Sequence, residues 1–391
     1  MQFRDLPKQY EVLKDKIDAA MIGVASSAHF ISGPEVKELE KELAQYVGVK
    51  HCITCANGTD AISIAMRAWG IGEGDAVFIP DFTFFSSGEC PADEGATPIF
   101  VDVDKITYNL DPVKLEEAVK KVVEEGKYKT KAVVAVDLFG LPADYVQIKS
   151  ICEKYNLLLL EDGAQGFGGS INGKMACSFG DISTTSFFPA KPLGCYGDGG
   201  AIFTDNDEWA DLIRSICVHG KDTSNPNDQN AKYNNIRIGM NSRLDTIQAA
   251  ILLPKLKAFI DYELEDINKV AGWYTEGLKN TDLVLPIISD GYYSSWAQYT
   301  VQLPERVDRK TVQAKLKAAD IPSMVYYAKP MHQQGAFEGT DSATAECPVT
   351  EKLCKTVLSL PLDPYKTKEE IDSVVAELKK AIGKNLRSHT C

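Results

Sequence analysis

The sequence lacks any apolar run long enough to span a lipid bilayer. Residues 1–8 show neither the apolar core nor the small-residue cleavage pattern of a signal peptide, so we expect a cytoplasmic protein without a membrane partner. Basic residues are in deficit: 42 lysines and arginines stand against 55 acidic residues, giving a formal net charge of -13. Because no basic stretch is interleaved with aromatic residues, we expect no nucleic-acid partner either.

The ten cysteines are scattered along the chain. Cys52 and Cys55 have C-x-x-C spacing, but β-forming residues lie between them and no second pair follows at a zinc-like distance. Others, such as Cys152 and Cys217, lie inside strand-like or helical runs, which is typical of reduced, buried thiols. The sequence therefore predicts neither a metal site nor a disulfide framework.

A chain of 391 residues with 44% apolar residues suits a protein of about two domains. From residue 50 to 205, short β-branched runs alternate with amphipathic helical stretches such as Thr59–Trp69 and Asp111–Glu125. The seven strand-like runs are His51–Cys55, Ala76–Pro80, Pro98–Val103, Ala132–Val136, Leu157–Glu161, Ile182–Phe187 and Ala201–Thr204. This rhythm predicts an α/β domain with a seven-stranded, largely parallel sheet.

A long helical stretch, Ser242–Leu278, then carries apolar residues at helical spacing and links to a second domain. Beyond it the pattern predicts two strands and two helices, at Trp296–Leu303, Ser323–Tyr327, Arg309–Ala319 and Lys368–Ile382. We expect residues 1–255 to form an N-terminal segment and a large α/β domain. Residues 256–391 would form a smaller α+β domain that ends in a frayed tail at 388–391.

Ligands of open α/β sheets bind beyond the carboxyl ends of strands, and polar residues follow several of the predicted strands. After the first strand, Gly58 allows a turn and Thr59 can cap the next helix, whose free N–H groups would bind a phosphate. After the fifth, Glu161 and Asp162 offer a carboxylate that can keep a pyridine nitrogen protonated. Each group also has a purely structural explanation. The first could be an ordinary helix cap, and the second could be a strand end that faces water, which would suit Glu161.

The third group is Lys191, which lies between a strand-like run and the glycine-rich residues 194–200. Such a lysine is well placed to form a Schiff base with pyridoxal phosphate, because burial or nearby cations lower its pKa and free the amine. Ser186, which precedes it, would reach the cofactor's phosphate. Most lysines are simply solvated, but the three groups together offer a phosphate site, a partner for the ring nitrogen and an imine-forming amine.

Four segments, 57–61, 161–165, 186–194 and 239–249, resemble those of the DegT/DnrJ-type sugar aminotransferases, and the similarity covers nearly the whole chain. Within that family the resemblance is greatest to enzymes that aminate UDP-2-acetamido-2-deoxy-3-oxo-D-glucuronate for cell-surface polysaccharides. The resemblance implies a fold type I, pyridoxal-phosphate-dependent transferase that acts as a homodimer with shared active sites. Glutamate is the implied amino donor and a nucleotide-linked keto-sugar the acceptor.

The resemblance also implies roles for individual residues. Lys191 would bind the cofactor's aldehyde and move protons. Asp162 would pair with the cofactor's ring nitrogen, and Gln165 would form a hydrogen bond with the cofactor's phenolic oxygen. Phe84 matches the aromatic residue that stacks on the ring, and Asn241 matches a phosphate ligand contributed by the partner subunit. The phosphate ligands within the same subunit would be Gly58, Thr59 and Ser186.

The implied sugar site is built from other residues. Arg243 is a candidate for an anionic group of the substrate, since a guanidinium binds a carboxylate bidentately, although an ion pair at a helix start explains it equally well. Tyr326 and His332 belong to a segment that resembles the pocket-lining Tyr-Pro-x-Pro-Leu-His of the family, and His332 is alternatively a structural histidine. Ser32 lies in a segment that matches one closing over the nucleotide sugar, or else a helix cap.

Some positions depart from the close relatives. Tyr326 stands where histidine is common, Gly163 replaces an alanine, and 219–233 is a longer loop with a turn-like 225–228. These changes border the expected sugar site, so a 4-keto-6-deoxy sugar or a dTDP-3-keto-6-deoxy sugar is an alternative substrate.

The sequence argues against three other functions: a sugar dehydratase, a non-catalytic regulator and a nicotinamide-dependent oxidoreductase. The sugar dehydratases of this fold replace the Schiff-base lysine with histidine, and Lys191 stands against that reading. A non-catalytic, cofactor-binding regulator would have no need of Lys191, Asp162, Gln165 and Ser186 together. The glycines at 70–74 follow a helix and precede a strand, which is the wrong order for a dinucleotide-binding motif.

Overall fold

The computed structural model describes residues 1–223 and 234–383. The turn predicted at 225–228 and the tail predicted at 388–391 lie outside the described residues. The strands are β1 His51–Cys55, β2 Asp75–Pro80, β3 Thr97–Val101, β4 Lys129–Val136, β5 Leu158–Asp162, β6 Ser170–Ile171, β7 Lys174–Met175, β8 Ile182–Ser186, β9 Gly200–Thr204, β10 Tyr292–Tyr293, β11 Tyr299–Gln302 and β12 Val357–Leu360. The helices are α1 Leu6–Ser27, α2 Pro34–Val47, α3 Gly58–Ala68, α4 Ser86–Asp93, α5 Pro112–Glu125, α6 Tyr145–Tyr155, α7 Asp207–Ile216, α8 Thr246–Ala258, α9 Leu264–Leu278, α10 Arg309–Ala318, α11 Pro348–Thr356 and α12 Lys368–Ile382.

The seven predicted strands form one sheet, in the order β1-β9-β8-β5-β4-β2-β3. Strands β8, β5, β4, β2 and β3 pair in parallel, whereas β9 runs antiparallel to its neighbours β8 and β1. Helices cover both faces of this sheet. Val133 and Val134, successive residues of β4, belong to separate apolar clusters on opposite faces, which explains the continuous apolar runs in the sequence. The mostly parallel α/β fold is confirmed.

Another apolar cluster lies in the C-terminal part of the chain, between residues 267 and 382. It packs α9, α10 and α12 against the antiparallel pair β11 and β12. The strand predicted at Ser323–Tyr327 was wrong: Met324 makes a single bridge to Ser359. Tyr326 and Tyr327 lie in the wall of a cavity. The division of the chain at residue 255 stays a prediction.

The helix predicted from Ser242 begins only at Thr246. The preceding residues are held in extended bridges, with Asn241 opposite Val218 and Asp245 opposite Ile31, so they cannot join the helix. From Thr246 the chain stays helical through α8, a π-turn and α9.

Across residues 1–223 and 234–383, every helix is too short or too polar to cross a bilayer. The nine cysteines in these residues are all buried, and their thiols are free.

Candidate active site

The carboxyl ends of β1, β5 and β8 lie at one edge of the sheet, beside a cavity of about 690 Å³. The starts of α3 and α4 and the segment 326–334 complete its wall. Eight of the predicted site residues line it, namely Gly58, Thr59, Phe84, Asp162, Gln165, Ser186, Lys191 and Tyr326. The fold thus brings together residues that are up to 268 positions apart, from position 58 to position 326.

One end of the cavity is the start of helix α3. Asn57 caps this helix by accepting a hydrogen bond from a first-turn N–H at 2.8 Å. The prediction that Thr59 is the cap was wrong, since its hydroxyl lies instead 2.8 Å from that of Ser86. Gly58 is packed so closely that a Cβ there would lie 2.7 Å from the Cβ of Ser186. The first N–H groups of a helix have no acceptor within it, so this hydroxyl-lined end suits a phosphate.

Asp162 ends β5 and is buried. Its Oδ2 accepts a hydrogen bond from the Ser87 hydroxyl at 2.9 Å, and its Oδ1 accepts one from the N–H of Ala164 at 3.2 Å. Burial raises the pKa of Asp162, while these two bonds and the charge of Lys191 oppose the rise. Sequence reasoning missed Ser87, which lies 75 positions earlier and meets Asp162 only through the packing of α4.

Lys191 lies in the loop 187–199, which joins β8 to β9. Its N–H donates to the carbonyl of Phe188 at 2.9 Å, so the chain turns sharply just before the lysine. Gly194 sits against this turn, where a Cβ would lie 2.5 Å from the carbonyl oxygen of Pro189. Burial lowers the pKa of Lys191, and the negative charge of Asp162 opposes that shift. A lowered pKa gives the lysine a larger fraction of neutral, nucleophilic amine.

The amide of Gln165 is fixed at both ends. Its Oε1 accepts from the N–H of Phe139 at 2.9 Å, and its Nε2 donates to the Tyr327 hydroxyl at 3.0 Å. Tyr327 also lines the cavity, and burial raises the pKa of its phenol. Sequence reasoning missed Tyr327 and also Gln298, which lines the cavity and buries an unpaired amide oxygen. Phe84 lies at the rim, its ring 6.4 Å from that of Tyr327.

Glu161 does not face water as the sequence suggested. It is completely buried, and its carboxylate accepts hydrogen bonds from the N–H groups of Cys177 and Phe179 and from the Ser183 hydroxyl, at 2.5, 2.6 and 2.8 Å. Successive residues of a strand point to opposite faces. Asp162 can therefore reach the cavity while Glu161 joins loop backbone on the other side.

Gly163 lies behind the cavity wall rather than on it. A Cβ at this position would lie 2.5 Å from the Sγ of Cys177, whose buried side chain fills the space that an alanine would need. Packing against Cys177 thus accounts for the glycine, and the expectation that this position borders the sugar site stays a prediction.

Four predicted residues do not line the cavity. Asn241 is exposed, and its backbone forms an isolated bridge with that of Val218. Ser32 is exposed in a backbone conformation with φ of 54°. Arg243 is partly buried, with an unpaired Nε. Their roles stay predictions.

His332, the fourth, is buried next to the cavity wall. Its backbone N–H donates to Oδ1 of Asp81 at 2.8 Å, and its ring Nδ1 lies 2.7 Å from Oδ2 of the same carboxylate. Asp81, His332 and Cys347 each offer an atom of a type that can bind a metal ion, and these atoms lie within 4.8 Å of one another. The pairing of His332 with Asp81 favours the structural alternative for His332, because it ties the segment 326–334 to the end of β2.

The cavity residues fit pyridoxal phosphate. Gly58 packs directly against Ser186 at the start of α3, so hydroxyl groups and the first N–H groups of the helix meet at one end of the cavity, as a phosphate needs. The carboxylate of Asp162 and the amine of Lys191 are near enough to shift each other's pKa. A cationic ring nitrogen and an aldehyde carbon would each find a matching partner here.

The family model of the DegT/DnrJ/EryC1/StrS aminotransferases matches residues 11–379. The UDP-2-acetamido-2-deoxy-3-oxo-D-glucuronate aminotransferase of Pseudomonas aeruginosa is 46% identical over 378 residues, which cover 97% of this chain and 99% of that protein.

Solved structures agree with this match. A DegT DnrJ EryC1 StrS aminotransferase from Brucella abortus has a TM-score of 0.93 and 44% identity, covering 98% of this chain and 100% of that one. A Bacillus subtilis protein with bound cofactor PMP has a TM-score of 0.84 and 32% identity, covering 94% of this chain and 81% of that one. The chain therefore belongs to the DegT/DnrJ/EryC1/StrS aminotransferase family and is a pyridoxal-phosphate-dependent sugar aminotransferase.

Proposed function

We propose that this enzyme transfers an amino group from glutamate to the 3-keto group of UDP-2-acetamido-2-deoxy-3-oxo-glucuronate, toward a cell-surface polysaccharide precursor. The observation that carries the chemistry is the meeting of Lys191 and Asp162 in one cavity beside a phosphate cradle. The choice of substrate is supported by the 46% identity to a Pseudomonas aeruginosa enzyme of that name. Free, buried thiols throughout the described residues support a reducing, cytoplasmic location.

Different residues of the cavity would bind different parts of the cofactor. Lys191 would hold the aldehyde carbon, Asp162 the pyridine nitrogen and Gln165 the phenolic oxygen, with Phe84 against the ring. The phosphate would be bound by Gly58, Thr59 and Ser186. When bound, pyridoxal phosphate supplies an electron sink that makes the α-proton of an amino acid removable.

Lys191 has two tasks in this scheme. The lowered pKa of Lys191 favours the neutral amine, which would hold the aldehyde carbon of bound pyridoxal phosphate. When it is not bonded to the cofactor, the same amine would move a proton between the donor's α-carbon and the carbon that carries the aldehyde. The hydrogen bonds from Ser87 and from the N–H of Ala164 favour the ionised form of Asp162, which would hold the proton on the ring nitrogen.

The sugar nucleotide would bind at the rim of the cavity. Tyr326 lines the rim, and Lys329 beside it adds a cation for an anionic substrate. Arg243 and Ser32 would contribute from outside the wall formed by one protomer. Phe84 and Phe188 line the cavity yet are 54% and 52% exposed, which supports a homodimer whose second subunit covers them and adds Asn241.

The proposal is tested by offering UDP- and dTDP-linked keto-sugars to the pyridoxamine form and following the return of the cofactor's visible absorbance. We expect recovery with the 3-oxo-glucuronate derivative. Recovery with 4-keto-6-deoxy sugars alone would overturn the substrate assignment. Lys191→Ala should fold and show no turnover, and an active Lys191→Ala protein would overturn the role of the lysine.

A further inference from the structure

The loop 187–199, which carries Lys191, is held from behind by helix α8. The N–H of Phe187 donates to the carbonyl of Gly199 at 2.7 Å, and the N–H of Cys195 donates to the carbonyl of Phe187 at 2.8 Å. These bonds close the base of the loop. The backbone of Tyr196, the residue after Cys195, is bound by a side chain from another element.

That side chain is Gln248. Its Oε1 accepts a hydrogen bond from the N–H of Tyr196 at 2.8 Å, and its Nε2 donates to the carbonyl of the same residue at 3.1 Å. A primary amide offers one acceptor and one donor side by side, so it can satisfy both backbone groups as a neighbouring strand would. The next residue, Gly197, is packed against the amide, since a Cβ there would lie 3.1 Å from Nε2.

The ring of Tyr196 is held as well. The Nζ of Lys255 lies 5.0 Å from the ring centroid, in the geometry of a cation–π contact. The ring of Tyr10, on α1, lies edge-on at 6.3 Å between centroids. Gln248 and Lys255 are seven residues apart on α8, two helical turns, so they share one face. Tyr196 is therefore fixed by its backbone and by its side chain.

We propose that Gln248 is a positioning residue for Lys191, an inference that rests on the proposed role of that lysine. Gln248 does not line the cavity and so acts only through the loop. By fixing Tyr196, its amide restrains the far half of the loop, and with it the direction from which Lys191 enters the cavity. Misplacement of a reacting group by about 1 Å can cost roughly 100-fold in rate.

The test compares Gln248→Met, which removes both hydrogen bonds at similar volume, with a matched control, Gln302→Met. Gln302 also donates its amide to a backbone carbonyl, that of Lys105 at 2.7 Å, but lies outside the cavity wall. Three quantities are measured: kcat, the pH midpoint of the holoenzyme's visible absorbance, and hydrogen exchange of residues 192–197 in the cofactor-free protein. A merely structural residue would leave the absorbance midpoint unchanged.

For Gln248→Met we expect a roughly 10- to 100-fold lower kcat, as for a reacting group misplaced by up to about 1 Å, together with a shifted midpoint and faster exchange of the loop. Gln302→Met should match the wild type in all three. Gln248→Glu keeps the acceptor for the N–H of Tyr196 but sets a carboxylate oxygen against the carbonyl of that residue, so its effects should be in the same direction. If Gln248→Met kept the wild-type midpoint and loop exchange, the inference would be wrong.

Borohydride reduction of the wild-type holoenzyme separates this result from the proposed function. Labelling of the peptide that contains Lys191 supports the proposed function, whatever Gln248→Met does. Labelling elsewhere overturns the proposed function and the inference with it. A wild-type enzyme labelled at Lys191, combined with an unaltered Gln248→Met variant, overturns the inference alone.

Discussion

The charge of one carboxylate, Asp162, depends on groups that are far from it in sequence. Its burial favours the neutral acid, whereas the Ser87 hydroxyl, the N–H of Ala164 and the charge of Lys191 favour the carboxylate. Only the ionised form can hold a protonated ring nitrogen. Ser87 is therefore a positioning residue for the proposed chemistry, although it does not touch the cavity.

We expect Ser87→Ala to lower kcat by about 10-fold, because a hydrogen bond to a charged group contributes roughly 1.5–3 kcal/mol. The pKa of Asp162 would rise further, so activity should be lost on acidification at a higher pH than in the wild type. Ser87→Thr, which keeps the hydroxyl, should restore the profile. Ser359→Ala, which removes the buried hydroxyl bonded to Thr300 at 2.8 Å, is the control. An unchanged acid limb in Ser87→Ala would contradict the assignment.

Among the elements, helix α8 is unusual because one of its buried residues is a lysine, Lys255, which is only 1% exposed. Burial lowers the pKa of Lys255 to about 8, with Glu263 opposing the shift and Arg4 adding to it. Between pH 8 and 10.5 the unfolded chain binds this proton and the folded chain does not. The contribution of Lys255 to stability is therefore most unfavourable below pH 8 and improves as the pH rises through that window.

Lys255→Met should accordingly be more stable than the wild type at pH 7, by roughly 3 kcal/mol less the lost contact with Tyr196, and the difference should shrink towards pH 10. Urea unfolding of the two proteins from pH 7 to 10 measures it. The buried cysteines, whose raised pKa values act in the opposite direction, are common to both proteins. Their contributions cancel in the difference except for that of Cys195, because the charge of Lys255 lowers the pKa of that thiol. A difference independent of pH would contradict the buried, titrating lysine.

At the scale of the whole molecule, the proposed dimer would build each active site from residues of two chains. Asn241 is exposed and lies outside the cavity wall, while Phe84 and Phe188 leave apolar surface at the rim. A two-fold symmetric dimer would cover that surface and place each Asn241 against the partner's cavity.

Mixing inactive subunits tests this arrangement. Lys191→Ala and Asn241→Ala should each be weak or inactive alone. After the two are dissociated and reassembled together in equal amounts, about a quarter of the wild-type activity should return, because half of the dimers are mixed and each mixed dimer has one intact site. Activity equal to the mean of the two separate proteins would show that the sites are not shared.

Much of the fold and the cofactor site could be read from the sequence. The seven strands are visible as apolar runs, because a parallel sheet covered on both faces needs apolar residues on each side. Lys191, Asp162, Gln165 and Ser186 could be singled out because each lies at the end of a strand or shortly after it, and parallel strands end at a common edge. The sequence therefore determined the sheet, the phosphate cradle and the identity of the groups beside it.

Other features were decided only by tertiary packing. Adjacent carboxylates, Glu161 and Asp162, look alike in the sequence, and the pleat of β5 sends one into loop backbone and the other to the cavity. The hydrogen bonds of Ser87 and Gln248 cannot be read from the sequence, because their partners lie 75 and 52 positions away. Hydrogen bonds between distant segments depend on how helices pack on the sheet, and residue spacing along the chain does not encode that packing.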